Sequence, residues 1–417
     1  MSKKLNDEND EKIDNVKNYY GPLILIFIVP LILFYVLIKS NKISKNNYPN
    51  KNGVIIFLLF LMYGFFSIKV SKKKFKGPTN IDNVTPEYAA NGFPFWIFTL
   101  FIVTTLSNVF PNMPKIFSKN FVSFIMTANI FGLLFVTYLY IRCRKNYHDK
   151  NKDIKNKSSV FYKFHRGFEL HPRLFNVDIK QWTNCRYGMM SWQIIILLFM
   201  YYYFKKNGFN SAIFVTVILQ SIYIGKFFYW ETGYFNTLDI TLDRAGYYLC
   251  WGCLVFLPAF YTFSTYYLIN RKPNIPNKVA LLIFICGIYF TYKNYEVDRQ
   301  KEIFKKDKEK AIINKKPAKF LDVEYVKDGK VVKSKLLLSG HWGKSRHQNY
   351  TYEILTSLTW SAVGYQYGVM PFLYLFYITF LLVHRIYRDE DKCSNKYGKY
   401  WDEYCKIVKY RLVKGIY

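Results

Sequence analysis

The chain has 417 residues, 51% of them hydrophobic, and a formal net charge of +31. Two or three soluble domains would fit that length, but the apolar residues are gathered into long runs, which excludes an ordinary soluble core. A nucleic-acid partner is not expected either, because lysine is abundant throughout and the basic clusters fall between apolar runs.

A polar, charged head covers residues 1–20 and lacks a small-residue cleavage site before the first apolar run, so no cleaved signal peptide is expected. Apolar runs follow at 22–38, 54–68, 93–110, 121–141, 189–204, 211–230, 247–269, 279–292 and 354–383. Several approach the roughly 17–25 residues that cross a bilayer core, and the shorter ones must tilt or extend into their flanks. The last is too long for one crossing and is broken by Gly364, Gly368 and Pro371, which predicts a helical hairpin. The expected fold class is an all-α polytopic membrane protein of about ten spans.

Basic stretches sit at VSKKKFKG (70–77), in the loop 142–188, at KEIFKKDKEK (301–310) and in the tail from His384. All follow even-numbered spans, which reads as cytoplasmic together with the N-terminus. The loop 40–53, on the other side, also carries lysines. Anionic membrane lipid is the simplest partner for most of this charge.

Seven scattered cysteines argue against a disulfide framework. Cys250 and Cys253 form a CxxC inside an apolar run with no second pair, so they read as small buried residues. The six histidines show no HxxxH or HExxH spacing, and no metal site is expected. There is no GxxxxGK[ST], no GxGxxG after a strand and no GxSxG, which excludes a Rossmann or P-loop nucleotide site and a serine nucleophile of the hydrolase type.

Polar chemistry concentrates in the second half, and ionisable groups at membrane depth tend to line a functional cavity. ETGYFNTLDITLDRAGYYLCWG (231–252) holds Glu231, Asp239, Asp243 and Arg244. PAKFLDVEYVKDGKVVKSKLLL (317–338) alternates around an Asp-Gly and predicts a surface hairpin. SGHWGKSRHQNY (339–350) and the tail then interleave Lys, Arg and aromatic residues, among them Lys301, Lys305, Trp342, Arg346, Arg385, Arg388, Lys396, Tyr397 and Tyr404. Such a mixture suits a phosphorylated, aromatic cofactor, with cations on its phosphates; lipid headgroups would use the same cations. Three regions result: a tail at 1–20, N-terminal spans with the basic loop at 21–230, and a ligand-binding region at 231–417.

SGHWGKSRHQNY resembles the SGxWGxxRHxNY signature of the sterol reductases that act on ring double bonds. HRIYRDEDKCSNKYGKYWDEYCKIVKYRL (384–412) is similar to the C-terminal signature of that family. GFELHPRLFNVDIK and TLDITLDRAGYYLCWG resemble two upstream elements, and the likeness runs from about residue 88 to the end. ETGYFNTLDI and YRLVKGIY most resemble the branch acting on the C7–C8 bond rather than the 14-reductases. The resemblance implies a ten-span helical fold with a C-terminal helical cofactor-binding region, using NADPH without flavin or metal, in the endoplasmic reticulum or a host membrane. By the same resemblance Leu337, Trp342, Asn349, Tyr350, Asp389, Cys393, Ser394, Asn395, Lys396, Tyr397 and Tyr404 contact the cofactor, and Lys301 and Lys305 meet phosphate. Departures from the pattern are His171, Tyr187, Lys226, Cys253 (where the family has a carboxylate), Lys305, Tyr352, Glu353 and Lys409.

The implied reaction is reduction of the C7–C8 double bond of a 5,7-diene sterol. An isolated ring alkene accepts hydride poorly, so a positioned acid must protonate it. Asp243, Tyr247 and Tyr404, with Glu231, are of the right type. Other readings of the same residues are another sterol double-bond reductase and a non-catalytic sterol-binding protein. Isoprenylcysteine-type methyltransferases share an RHP-like motif but are much shorter.

Overall fold

The computed structural model describes residues 16–41, 47–79, 84–146, 159–327 and 330–417. Most of the charged head, parts of the 40–53 and 142–188 loops and the Asp328–Gly329 turn lie outside the described residues. The chain divides into two compact units: unit 1 is Met1–Asn210 with Ile224–Lys272, and unit 2 is Ser211–Tyr223 with Pro273–Tyr417.

Helices dominate: α1 (Asn18–Ser40), α2 (Lys51–Lys69), α3 (Gly92–Val109), α4 (Met113–Cys143), α5 (Gln181–Asn207), α6 (Ser211–Tyr229) and α7 (Tyr247–Leu268). They are followed by α8 (Asn277–Asp307), α9 (Gln348–Ala362), α10 (Met370–Tyr397) and α11 (Lys399–Ile407). Among the described residues eight of these, α1–α7 and α10, are long and apolar enough to cross a bilayer. This is an all-α polytopic membrane fold. The other two expected spans are present as helices of a different kind. The apolar half of α8 runs on into a charged half, and α9 has only 15 residues.

Small residues set the helix contacts in unit 1. A side chain at Gly53 of α2 would come within 2.1 Å of the Ser123 hydroxyl on α4, and Ser123 Oγ accepts from the Asn50 amide at 2.9 Å. Close approach through small residues is how apolar helices gain contact where lipid is as apolar as the side chains. Helix α5 begins well before the expected start at 189. Asp178 Oδ1 caps it by accepting from the Gln181 amide at 2.8 Å, and its first turns are wide enough to be π-helical.

In unit 2, α8 lies against α9, and α9 turns into α10 through 3-10 turns at Tyr365–Tyr367 and Met370–Phe372. Gly368 between them has φ +68, a conformation that favours glycine. The predicted helical hairpin is therefore present, broken where the glycines and proline stand. Among the described residues strands come as antiparallel pairs of two to eight residues. They are β1 (Lys74–Lys76) with β2 (Glu87–Ala89), β3 (Arg173–Leu174) with β4 (Val177–Asp178), β5 (Ile312–Ile313) with β6 (Lys316–Pro317), and β7 (Phe320–Lys327) with β8 (Lys330–Leu337). The last pair is the predicted surface hairpin, registered Phe320↔Leu337 through Lys327↔Lys330.

Candidate functional site

All of the expected cofactor residues lie in unit 2, where α8, the 339–350 stretch and the α10–α11 tail come together. The turn that opens SGHWGK needs glycine. Gly340 has φ +63, and a side chain there would strike Gln300, whose Oε1 accepts the His341 amide at 2.9 Å. This anchors the stretch to α8 and delivers Trp342 beneath it. The Trp342 indole N–H donates to the Val297 carbonyl at 2.9 Å. Its polar neighbours suggest a residue outside the core, but Trp342 is buried in an apolar cluster with Val297, Phe304, Ile313 and Leu337, because α8 and the β5–β6 pair fold around it.

The Lys301 ammonium stands 4.1 Å from the centre of that indole, a cation–π contact of roughly 0.5–2 kcal/mol depending on desolvation. Lys301 reaches solvent although protein crowds it. Burial and then Lys305 hold its ammonium below the usual lysine value, while Asp298 and Asp389 pull it back up. One turn along the 339–350 stretch, Asn349 Nδ2 donates to Asp298 at 3.2 Å and Tyr350 donates to Asp389 at 3.0 Å. Asn349 Oδ1 is buried with no hydrogen-bond partner among the described residues, and so is His347 Nε2. The His347 ring stacks on Tyr350 with centroids 5.3 Å apart. Burial first, then Lys301, Arg346 and Arg411, push its pKa down to about 3, so the ring is neutral.

From the tail, Tyr404 is buried and donates to the carbonyls of Leu337 and Trp342, both at 3.3 Å; burial raises its phenol above the ordinary tyrosine value. Cys393 and Tyr397 pack in the same cluster as Tyr404. Lys396 lies 4.1 Å over the Tyr325 ring and 4.7 Å over Tyr397. Ser394, Asn395 and Lys305 are exposed, and Leu337 turns its side chain into the apolar cluster. Three of these residues were not legible in the sequence as parts of the site. Gln300, His347 and Asp298 act through partners brought to them by the fold, and only His347 had a signal, its place within the SGHWGKSRHQNY signature.

Unit 1 holds the remaining candidates. The buried Asp243 carboxylate is 3.7 Å from Arg166. The Tyr247 hydroxyl donates to the Leu25 carbonyl at 3.2 Å, and its ring stacks on Trp251. Two upstream motifs meet here. Gly167 of GFELHPR crosses Gly246 of DRAG so closely that a side chain at Gly246 would come within 2.2 Å of the Gly167 nitrogen. Lys180, wholly buried, donates to the carbonyls of Ile240 and Asp243 at 2.5 and 2.9 Å. Burial lowers its pKa to about 8 against the pull of Asp178 and Asp243. Glu231 forms a buried pair with Arg186. Several departures find local partners: His171 meets the Tyr88 hydroxyl at 3.3 Å, and in unit 2 Glu353 accepts from Tyr223. The Tyr187 hydroxyl is buried without a partner among the described residues; nothing in the structure explains it.

Among the described residues no cluster of His, Cys, Asp or Glu could hold a metal ion. Spans, buried ion pairs and a cation-and-aromatic cluster on helix ends together define a multi-pass helical membrane protein. The profile of the Ergosterol biosynthesis ERG4/ERG24 family matches residues 19–417, and the chain belongs to this family of membrane oxidoreductases of sterol biosynthesis. It is 35% identical over 380 residues to the 7-dehydrocholesterol reductase of Arabidopsis thaliana, covering 87% of this chain and 85% of that protein. To the 7-dehydrocholesterol reductase of Danio rerio it is 34% identical, over 79% of this chain and 70% of the relative. The Delta(14)-sterol reductase LBR of Gallus gallus is 28% identical, over 94% of this chain and 62% of its own length.

Proposed function

We propose that this protein reduces the C7–C8 double bond of 5,7-diene sterols with NADPH, in the endoplasmic reticulum membrane or the equivalent membrane of a host. The observation that carries the reading is the unit-2 cluster in which a solvent-accessible lysine sits on an indole near two buried polar atoms that have no hydrogen-bond partner among the described residues. The choice of the C7–C8 bond rests on similarity, which is 35% to the plant 7-dehydrocholesterol reductase against 28% to the Delta(14)-sterol reductase.

The donor set suits the cofactor. Lys301 and Lys305 supply cations for phosphate, with Lys396 a third between two tyrosine rings. Asn349 Oδ1 is an acceptor of the kind a carboxamide N–H needs, because leaving it unmet in a buried place costs about 1–3 kcal/mol. Trp342 fixes Lys301, while Asp298 and Asp389 orient Asn349 and Tyr350. Cys393, Ser394, Asn395 and Tyr397 border the same site from α10, and Leu337 backs it from the core. When bound, NADPH supplies the hydride that reaches carbon 7.

The proton for carbon 8 must come from a group that keeps it near neutral pH. Asp243 pairs with Arg166, and Tyr247 donates to a carbonyl of α1. Tyr404 is the candidate that lies in the same unit as the cofactor residues. Its two bonds of 3.3 Å are long for O–H···O and so are readily exchanged for a substrate partner. Its raised pKa keeps the phenol protonated. Purified protein given a 5,7-diene sterol and NADPH should yield the 5-ene product. Reduction of a 14-ene sterol instead would move the protein to the 14-reductase reading. Binding of both ligands without any product would leave a sterol-binding protein.

A further inference from the structure

We infer that Glu390 is a positioning residue that clamps segment 408–412 onto the 345–351 stretch, and that this clamp holds Asn349 and Tyr350 in the arrangement cofactor binding requires. The inference rests on the cofactor site proposed above.

After α11 the chain runs alongside the second half of the SGHWGKSRHQNY signature. The Arg346 amide donates to the Tyr410 carbonyl at 2.9 Å and the His347 amide to the Arg411 carbonyl at 2.8 Å. The hydroxyls of Ser345 and Thr351 both donate to the Leu412 carbonyl, at 2.9 and 2.8 Å. Arg346 reaches the same segment with its side chain, donating to the carbonyls of Val408 and Lys409 at 2.6 and 3.0 Å. One carboxylate closes the arrangement. Glu390 takes Arg346 Nε on one oxygen at 2.8 Å and Arg411 Nε on the other at 2.9 Å. Arg346 belongs to the signature and Arg411 to the strap, so Glu390 staples one to the other. Without it two guanidinium groups would face each other across a half-buried space, and the strap would be driven away from the signature.

The link to the site is short. Asp389, the neighbour of Glu390 on α10, accepts from the Tyr350 hydroxyl at 3.0 Å. His347, whose amide the strap holds, stacks on the Tyr350 ring. One turn of α10 therefore grips Tyr350 directly through Asp389 and indirectly through the strap.

The test uses the full chain in detergent, comparing Glu390→Gln, Arg411→Ala and Arg411→Lys with the unaltered protein. Amide hydrogen exchange in 345–351 is read without cofactor, and the NADPH dissociation constant is read separately. Glu390→Gln and Arg411→Ala should each speed exchange in 345–351 and weaken NADPH by at least about tenfold, with exchange in α4 and α5 unchanged. Arg411→Lys, which keeps one charged donor, should recover most of both. If Glu390→Gln fails to fold, the more exposed Arg411 carries the comparison alone. Unchanged exchange in the folded variants would overturn the clamp. Faster exchange with NADPH affinity intact would overturn its link to the site. Failure of the unaltered protein to bind NADPH at all would sink the cofactor reading instead, and the exchange arm tells the two apart.

Discussion

Two arginine–carboxylate arrangements show how differently the two units use the same chemistry. In unit 1, Arg186 and Glu231 are 0% and 3% exposed, and the guanidinium is flanked by the rings of Phe95 and Phe228 and accepted by Asn91 Oδ1. That pair is two-pronged, each terminal nitrogen of Arg186 on one Glu231 oxygen, and lies within the packing of a membrane helix. In unit 2, Arg346, Glu390 and Arg411 form a chain of charges along one edge of a site that still holds unmatched polar atoms at His347 and Asn349. The first arrangement meets both Glu231 oxygens and both terminal nitrogens of Arg186, leaving only Arg186 Nε without a partner among the described residues; the second leaves polar atoms on other side chains beside it unmet. A buried pair is thus a sign of function only when other side chains beside it remain unsatisfied.

Breaking the two-pronged pair should have the largest effect. Glu231→Ala leaves the Arg186 charge buried without its carboxylate, at a cost of about 3–5 kcal/mol, a large part of a typical stability margin. Monodisperse protein should largely disappear from size-exclusion profiles, and a normal yield would remove the contrast between the units. Trp342→Ala comes next, because a buried indole is lost at a cost of about 3 kcal/mol or more. Trp342→Phe keeps the ring and forfeits the bond to Val297, about 1 kcal/mol, so it should fold while binding NADPH more weakly. Thermal melting and cofactor titration on both variants separate the two contributions, and equal cofactor affinity in Trp342→Phe and the unaltered protein would confine Trp342 to the core.

Lys301→Glu should be milder for the fold and sharp for the ligand. The lysine reaches solvent, so melting should change little while the apparent NADPH constant rises at least about tenfold. A collapse in yield would make Lys301 structural. The smallest effect at neutral pH concerns histidine. His347 is held near 3, and His165 and His171 near 4, by burial first and then by neighbouring cations. All three are neutral when folded, whereas in the unfolded chain histidine takes its proton near pH 6.5. Their contribution to stability is therefore complete above about pH 6.5 and declines as pH falls toward the folded values. Melting temperature should drop from pH 7 to pH 5, and His347→Gln should flatten part of that drop; a flat profile in the unaltered protein contradicts it.

Much of the architecture could be read along the chain because its causes are local. Apolar runs of membrane length, the break at Gly364, Gly368 and Pro371, and the alternation around Asp328–Gly329 each depend on neighbours a few residues away. The 339–350 stretch likewise announced itself as polar and aromatic, and the family signatures marked the residues around it. Pairings across long separations could not be read, because a side chain's partner leaves no trace in the spacing of its own segment. Arg186 reads as one more charge of the basic loop 142–188 until α5 starts earlier than expected and Glu231 is brought to it. Trp342 looks like a residue outside the core until α8 and the β5–β6 pair bury it, leaving the Lys301 ammonium 4.1 Å from its ring centre. Asp178 moves the start of α5 back to Gln181 by capping it, and Glu390 acquires its meaning only when Arg346 and Arg411 converge. Local sequence sets which segments enter a membrane, since that depends on summed transfer free energy. Which charges are closed and which stay open to a ligand depends on desolvation and geometry, and these exist only once the chain is folded.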